Sequence, residues 1–171
     1  MAQGKWRLKK TLERKVEVNP VELDDLAHAW AAYKVGQWPF FEPGLDAEGF
    51  RSAFATLAVN AYNGMWVIKM DTKRGFVPVA YAFGWWFHPN TEDVMILDRF
   101  AWMPWVTPRQ MITALVGFVT RVRKDLKMFS FCPPNEKKIM EIVAKHGVIR
   151  RVGTSHILYG DGEPATMWET R

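Results

Sequence analysis

The chain holds a single cysteine, Cys132, so no disulfide can form within it, and the sequence reads as one suited to a reducing compartment or to an assembly formed inside a cell. No apolar run approaches the roughly 18 residues that a membrane helix needs, and the opening stretch MAQGKWRLKKTLERK carries charge with no apolar segment behind it. A soluble, unsecreted, cytoplasmic protein is expected. Repeats, low-complexity tracts and long linkers are missing too, so 171 residues, 49% of them apolar, predict one domain with a core of ordinary size. Four scattered histidines and one cysteine fall at no metal-ligand spacing, and no metal is expected. Glycine is missing at an informative place. The stretch WMPWVTPRQMITALVGF (102–118) runs from a strand into a helix through a turn that contains none.

Aromatics are plentiful, at 14% with nine tryptophans, which predicts a dense core or an adhesive surface. Charge is unevenly placed. Residues 1–15 hold Lys5, Arg7, Lys9, Lys10, Arg14 and Lys15 against Glu13, so this basic arm alone accounts for the net charge of +5. A second basic block spans 121–151. Such clusters attract phosphates, whether of a nucleic acid or of a cofactor, and they also serve as solvated arms and helix faces. The division expected is a basic arm over 1–15 and a single domain over 16–171.

Periodicity supplies the elements. A weak first strand lies near ERKVEV. NPVELDDLAHAWAAYKV predicts a helix with Asn19 as N-cap and Pro20 as its first residue. A second helix opens at Asp46 and carries Phe50, Phe54, Leu57 and Ala58 on one face. GMWVIKM, FVPVAYAFGWWF and DVMILDRFAWM predict an antiparallel meander across the turns DTKRG and HPNTE. A helix over 107–124, the strand MFSFC, a helix NEKKIMEIVAKH stopped by Gly147, and two strands around GDGEP complete the chain.

This order of elements resembles that of the GCN5-related N-acetyltransferase family. The resemblance implies an α+β fold: a central mixed sheet of six to seven strands, an antiparallel meander followed by β-α-β-α-β-β, with helices on both faces. CPPNEKKIMEIVAKHGV is similar to the family segment with an Asn at the start of its last core helix and a Gly-hydrophobic pair at its end, here Asn135 and Gly147-Val148. FAWMPWVTPRQMITALV stands where the family carries its cofactor strand and pyrophosphate loop. Arg109 and Ala114 match that loop, whereas Ile112 replaces its first glycine. Size, aromatic content and loss of glycine also resemble acetyltransferase-like proteins of tailed phages, including internal virion proteins, which would place the chain in a host cytoplasm or a virion.

The resemblance implies an acyltransferase using acetyl-CoA or a related acyl-CoA, with Trp102, Met103, Trp105 and Val106 along the pantetheine arm and Arg109, Gln110 and Ala114 at the pyrophosphate. Asn135 falls near the thioester. Ile142 and Val143 stand where a tyrosine acid would be expected, so the general acid has no candidate. Asp98, between apolar neighbours Leu97 and Phe100, is the candidate base, because desolvation raises a carboxylate pKa; a salt bridge with Arg99 is the ordinary alternative. His88, in a turn, and Ser155 with His156, on the penultimate strand, are candidate substrate contacts.

The turn itself reads two ways. Thr107 and Gln110 form a capping box and Pro108 brings no N–H, which leaves few donors for a phosphate, while Arg109 offers a charged fork that replaces some of them. The acceptor is an amine on a small molecule, a protein or a nucleic acid. A catalytically silent binding or virion protein, and a nucleic-acid-modifying enzyme supported by the basic arm, are the competing readings. Two weaker constellations are Cys132 with His146 and His156 as nucleophile and base, and Trp85, Trp86, Trp102 and Trp105 as a base-stacking surface; burial is the ordinary fate of both kinds of residue.

Overall fold

The computed structural model describes residues 15–35, 41–59, 63–86, 94–122, 127–132, 137–158 and 164–171. Strand β1 (Val16–Pro20) leads through a single 3-10 turn (Leu23–Asp25) into helix α1 (Leu26–Lys34), followed by α2 (Ala47–Val59). Strands β2 (Asn63–Thr72), β3 (Gly75–Trp86) and β4 (Val94–Trp102) form the expected meander. Helix α3 (Pro108–Val122), strand β5 (Lys127–Cys132), helix α4 (Lys137–Lys145) and strands β6 (Ile149–Leu158) and β7 (Pro164–Thr170) follow. The seven described strands join one sheet in the order β1-β2-β3-β4-β5-β7-β6. Every pairing is antiparallel except that of β4 with β5.

The core lies on both faces of this sheet, which settles the α+β architecture. Helices α3 and α4 cover one face through Leu115, Phe118, Val119 and Val143, packed on Ile68, Ala82, Met95 and Leu97. Helices α1 and α2 cover the other through Ala29, Ala32, Phe50 and Phe54, packed on Met65, Val67, Tyr81 and Ala101. The buried Tyr81 hydroxyl donates to the Asp25 carbonyl at 3.2 Å, tying the start of α1 to the middle of the sheet. Helix α2 begins as read, with Asp46 accepting from the Gly49 N–H at 2.7 Å.

One boundary differs from the sequence reading. Asn19 and Pro20 do not start a helix; they end β1, opposite Val67 and Trp66. The bonds from Asp71 N–H to Lys15 and from Val21 N–H to Met65 fix which residues of β1 bond inward: the odd-numbered ones. Pro20 therefore aims its missing donor away from the sheet, where an edge strand loses no bond. Helix α3 packs closely on this strand. A Cβ at Gly117 would lie 2.6 Å from the Val16 side chain, so only glycine permits that approach.

Candidate active site

Strand β4 is regular up to Leu97 and then changes phase. Phe83 pairs with Arg99 and Gly84 with Leu97, so Asp98 is the extra residue of a bulge. Before the bulge Met95 and Leu97 face α3; after it Phe100 and Trp102 do, while Ala101 and Met103 join the opposite core. A Cβ on Gly84 would meet the Ile96 carbonyl oxygen at 2.8 Å, so glycine lets the two strands close up beside the bulge.

The bulge coincides with a parting of strands. The parallel pairing of β4 and β5 covers only Val94↔Lys127 to Leu97↔Ser130, yet β4 runs on to Trp102 and β5 to Cys132. The Met103 N–H donates to the Val79 carbonyl at 3.0 Å. By the alternation of an antiparallel ladder, Phe100 and Trp102 then turn their N–H and C=O groups away from β3, towards the gap that β5 has left. No described strand pairs with them there. The floor of the gap is a narrow cleft of about 30 Å³, bounded by Leu97, Phe100, Leu115, Val119, Met140 and Val143 among others. Phe100 stacks on Trp102, with centroids 5.6 Å apart, and meets Phe118 edge-on.

The open edge leads through a turn to the start of α3. There the capping box is present as read: Gln110 Oε1 accepts from the Thr107 N–H at 2.9 Å and from its hydroxyl at 2.8 Å, and Thr107 Oγ1 lies 3.4 Å from the Gln110 N–H. The Met111 N–H is bonded to the Thr107 carbonyl. With Pro108 lacking a donor, Arg109 carries the one first-turn N–H outside these bonds. Its side chain is exposed. Ile112 packs against the α3 core, which gives a structural reason for a side chain at this position of the turn. Thr107→Ala should lower stability by about 1 kcal/mol in a denaturant melt, ligand present or not, because it removes the N-cap acceptor.

The remaining sequence candidates divide clearly. Trp105 is 52% exposed beside this turn, and Val106 is half-buried against both cores. Met103 and Ala114 are fully buried, so their side chains are core and only their backbone lies along the path. Asp98 has its backbone at the bulge, and Ser155 and His156 theirs on β6, but their side chains, with that of Cys132, lie outside what is described. His88, Asn135 and the arm residues Lys5, Arg7, Lys9, Lys10 and Arg14 lie outside the described residues. Among the described residues no cluster of His, Cys, Asp or Glu is fit to hold a metal, and no helix is long and apolar enough to cross a membrane.

Sequence reasoning missed one charged group at the cleft. Glu169 on β7 is only 6% exposed, hydrogen-bonded and ion-paired to Arg150 and 3.4 Å from Lys127 Nζ. The Arg150 guanidinium, opposed by burial and helped by Lys127, holds this carboxyl below the usual range. A depressed folded-state pKa contributes stability above the unfolded value near 4.3 and loses it as pH falls through the folded one. Glu169→Gln should therefore reduce stability at neutral pH and flatten the acid limb of a melting-temperature profile below about pH 4.

No protein-family model matches the sequence, and no curated protein does. Solved structures do match in fold. A spermidine N-acetyltransferase chimera from Vibrio cholerae superposes with a TM-score of 0.66 at 8% identity, covering 91% of this chain and 95% of that one. A GCN5-related N-acetyltransferase from Brucella melitensis gives 0.63 at 16%, covering 92% and 76%. An aminoglycoside acetyltransferase in complex with coenzyme A gives 0.61 at 16%, covering 91% and 95%.

Proposed function

We propose that this chain, which has the fold of the GCN5-related N-acetyltransferases, transfers an acyl group from an acyl-CoA, acetyl-CoA in the first instance, to the amine of a small acceptor. The observation that carries the reading is the open edge of β4. An acyl-CoA brings an amide-bearing arm, a pyrophosphate and a reactive thioester. The outward N–H and C=O groups of Phe100 and Trp102 fit the amides of such an arm as a neighbouring strand would. The exposed Arg109 guanidinium and the Arg109 N–H fit the pyrophosphate, although with fewer backbone donors than a glycine-rich turn provides. The proteins of like fold include enzymes named for spermidine and for aminoglycosides, both amines, which supports an amine as acceptor.

In this reading Asp98, set on the bulge where the strands part, takes the proton of the attacking amine. Asn135, which the family resemblance assigns to the thioester side, orients the thioester in this reading. The leaving thiolate collects its proton from water, since α4 presents Ile142 and Val143 where a tyrosine acid would stand. A second reading, an acyl-CoA-binding protein without turnover, is favoured by the self-capped start of α3 and by that missing acid.

A melt in acetyl-CoA tests the binding shared by both. At about 100 times the dissociation constant the ligand should stabilise the fold by about 2.7 kcal/mol. An unchanged melting temperature, with no heat in calorimetry at millimolar acetyl-CoA or CoA, would overturn the proposal. Binding without release of free thiol across a panel of polyamines and aminoglycosides would select the second reading.

A further inference from the structure

On the acyl-CoA reading, a donor bound along the open edge of β4 has one direction. Arg109, its phosphate contact, stands at the start of α3, just beyond the Trp102 end of the strand. From there the arm passes Trp102 and then Phe100, so its thioester end arrives near Leu97, the last residue of β4 that pairs with β5. Leu97 and Phe100 both turn their side chains to the α3 face, and both line the narrow cleft there. The acyl group is thereby delivered to that cleft.

The lining is apolar and set on fixed elements. Leu115 and Val119 lie one turn apart on α3, Val143 is fully buried on α4, and Met140, three residues earlier on α4, is a half-buried wall. Beyond β5 the lining changes character. Buried Trp168 stands there beside Glu169, whose carboxylate is held by Arg150 and Lys127, and Thr170 Oγ1 accepts from the Met128 N–H at 3.1 Å. A group reaching that far must disturb a buried ion pair, which costs more than moving a soft side chain. The room before it is small. The cleft holds about 30 Å³, which at roughly 10–15 Å³ for each water-sized group accommodates about two of them. The methyl of an acetyl group takes one place and the next carbon takes the other. We propose that this cleft is the acyl pocket of the chain and sets its donor class: acetyl and propionyl groups enter it, and acyl chains of four or more carbons do not.

Calorimetry with CoA and its acetyl, propionyl, butyryl and hexanoyl thioesters reads the pocket on the intact chain, each affinity being expressed relative to that of CoA. A methylene moved from water into an apolar lining is worth about fourfold in affinity, so propionyl-CoA should bind about fourfold tighter than acetyl-CoA. The gain should stop there. Butyryl-CoA should bind no tighter than propionyl-CoA, and hexanoyl-CoA about tenfold weaker, as overfilling a packed space requires. Met140→Ala, which shortens the half-buried wall, should move the break to butyryl or beyond. A nuclear Overhauser contact from a 13C-labelled acetyl methyl to the methyls of Leu97 and Val143 should place the group directly, and with the parent series it decides the proposal even where the variant folds poorly. Affinity that rises unbroken to hexanoyl-CoA, or that ignores chain length with no such contact, would overturn the pocket and leave acyl-CoA binding standing. Failure of CoA and of every thioester to bind would overturn the acyl-CoA reading and the pocket with it.

Discussion

Phe118→Ala is expected to lower the unfolding free energy by about 3–5 kcal/mol, the largest single-residue loss in the α3 layer. Phe118 is fully buried and meets Trp66 edge-on at 5.7 Å and Phe100 at 5.6 Å. Removing the ring leaves a cavity between a helix and a sheet that cannot collapse onto each other, because Gly117 already brings α3 against β1. Phe100 is also the first residue of the open β4 edge, so the same substitution should weaken acetyl-CoA binding at temperatures where the variant is still folded. Urea melts and calorimetry on one preparation measure both. A loss below about 1 kcal/mol would show that the aromatic trio is not the support of that edge.

Arg109→Ala is expected to do the opposite: to leave the unliganded melt within about 0.5 kcal/mol of the parent, as an exposed substitution does, and to weaken acetyl-CoA binding by about 10- to 150-fold. That range follows from about 1.5–3 kcal/mol for a charged hydrogen bond to phosphate. The effect should be large because the first turn of α3 has little else to offer, Thr107 and Gln110 having satisfied each other. Desulfo- or dephospho-analogues of CoA are not needed to read it; pantetheine lacks the pyrophosphate and should bind parent and variant alike. Equal affinity of the variant for acetyl-CoA would remove the start of α3 from the site.

The order of elements was legible because each strand and helix advertises its own period. Val16 and Val18, Phe50 and Phe54, and the capping pair Thr107 and Gln110 behave as their spacing suggests. Asn19-Pro20 was misread because proline suits a helix start and an outward edge position equally, and only the ladder distinguishes them. The bulge at Asp98 left no signal in the sequence: Val94, Ile96, Ala101 and Met103 are apolar too, so the passage of α3-facing residues from odd to even numbers between Leu97 and Phe100 shows only in the sheet. The site was less legible for a deeper reason. Its main feature is backbone at Phe100 and Trp102 that no described strand pairs, which any residue type could provide, and it exists because β5 diverges. The Glu169 cluster draws one residue each from β5, β6 and β7, with Arg150 and Glu169 19 positions apart, so no local pattern announces it.

The place of β7 between β5 and β6 bears on how the chain reaches this structure. Among the described strands β6 joins the sheet only through β7, and the Arg171 N–H bonds to the Val148 carbonyl at the far end of that pair. During synthesis, at about 5–20 residues per second, the meander β2–β4 can form while the later strands are still unmade. The outer part of the sheet cannot, because its bridging strand β7 is made after both of the strands that it joins. For that interval β5 offers an unpaired edge beside the gap of the candidate site, a natural contact for chaperones and a point at which slow translation of residues 127–158 would prolong exposure to aggregation.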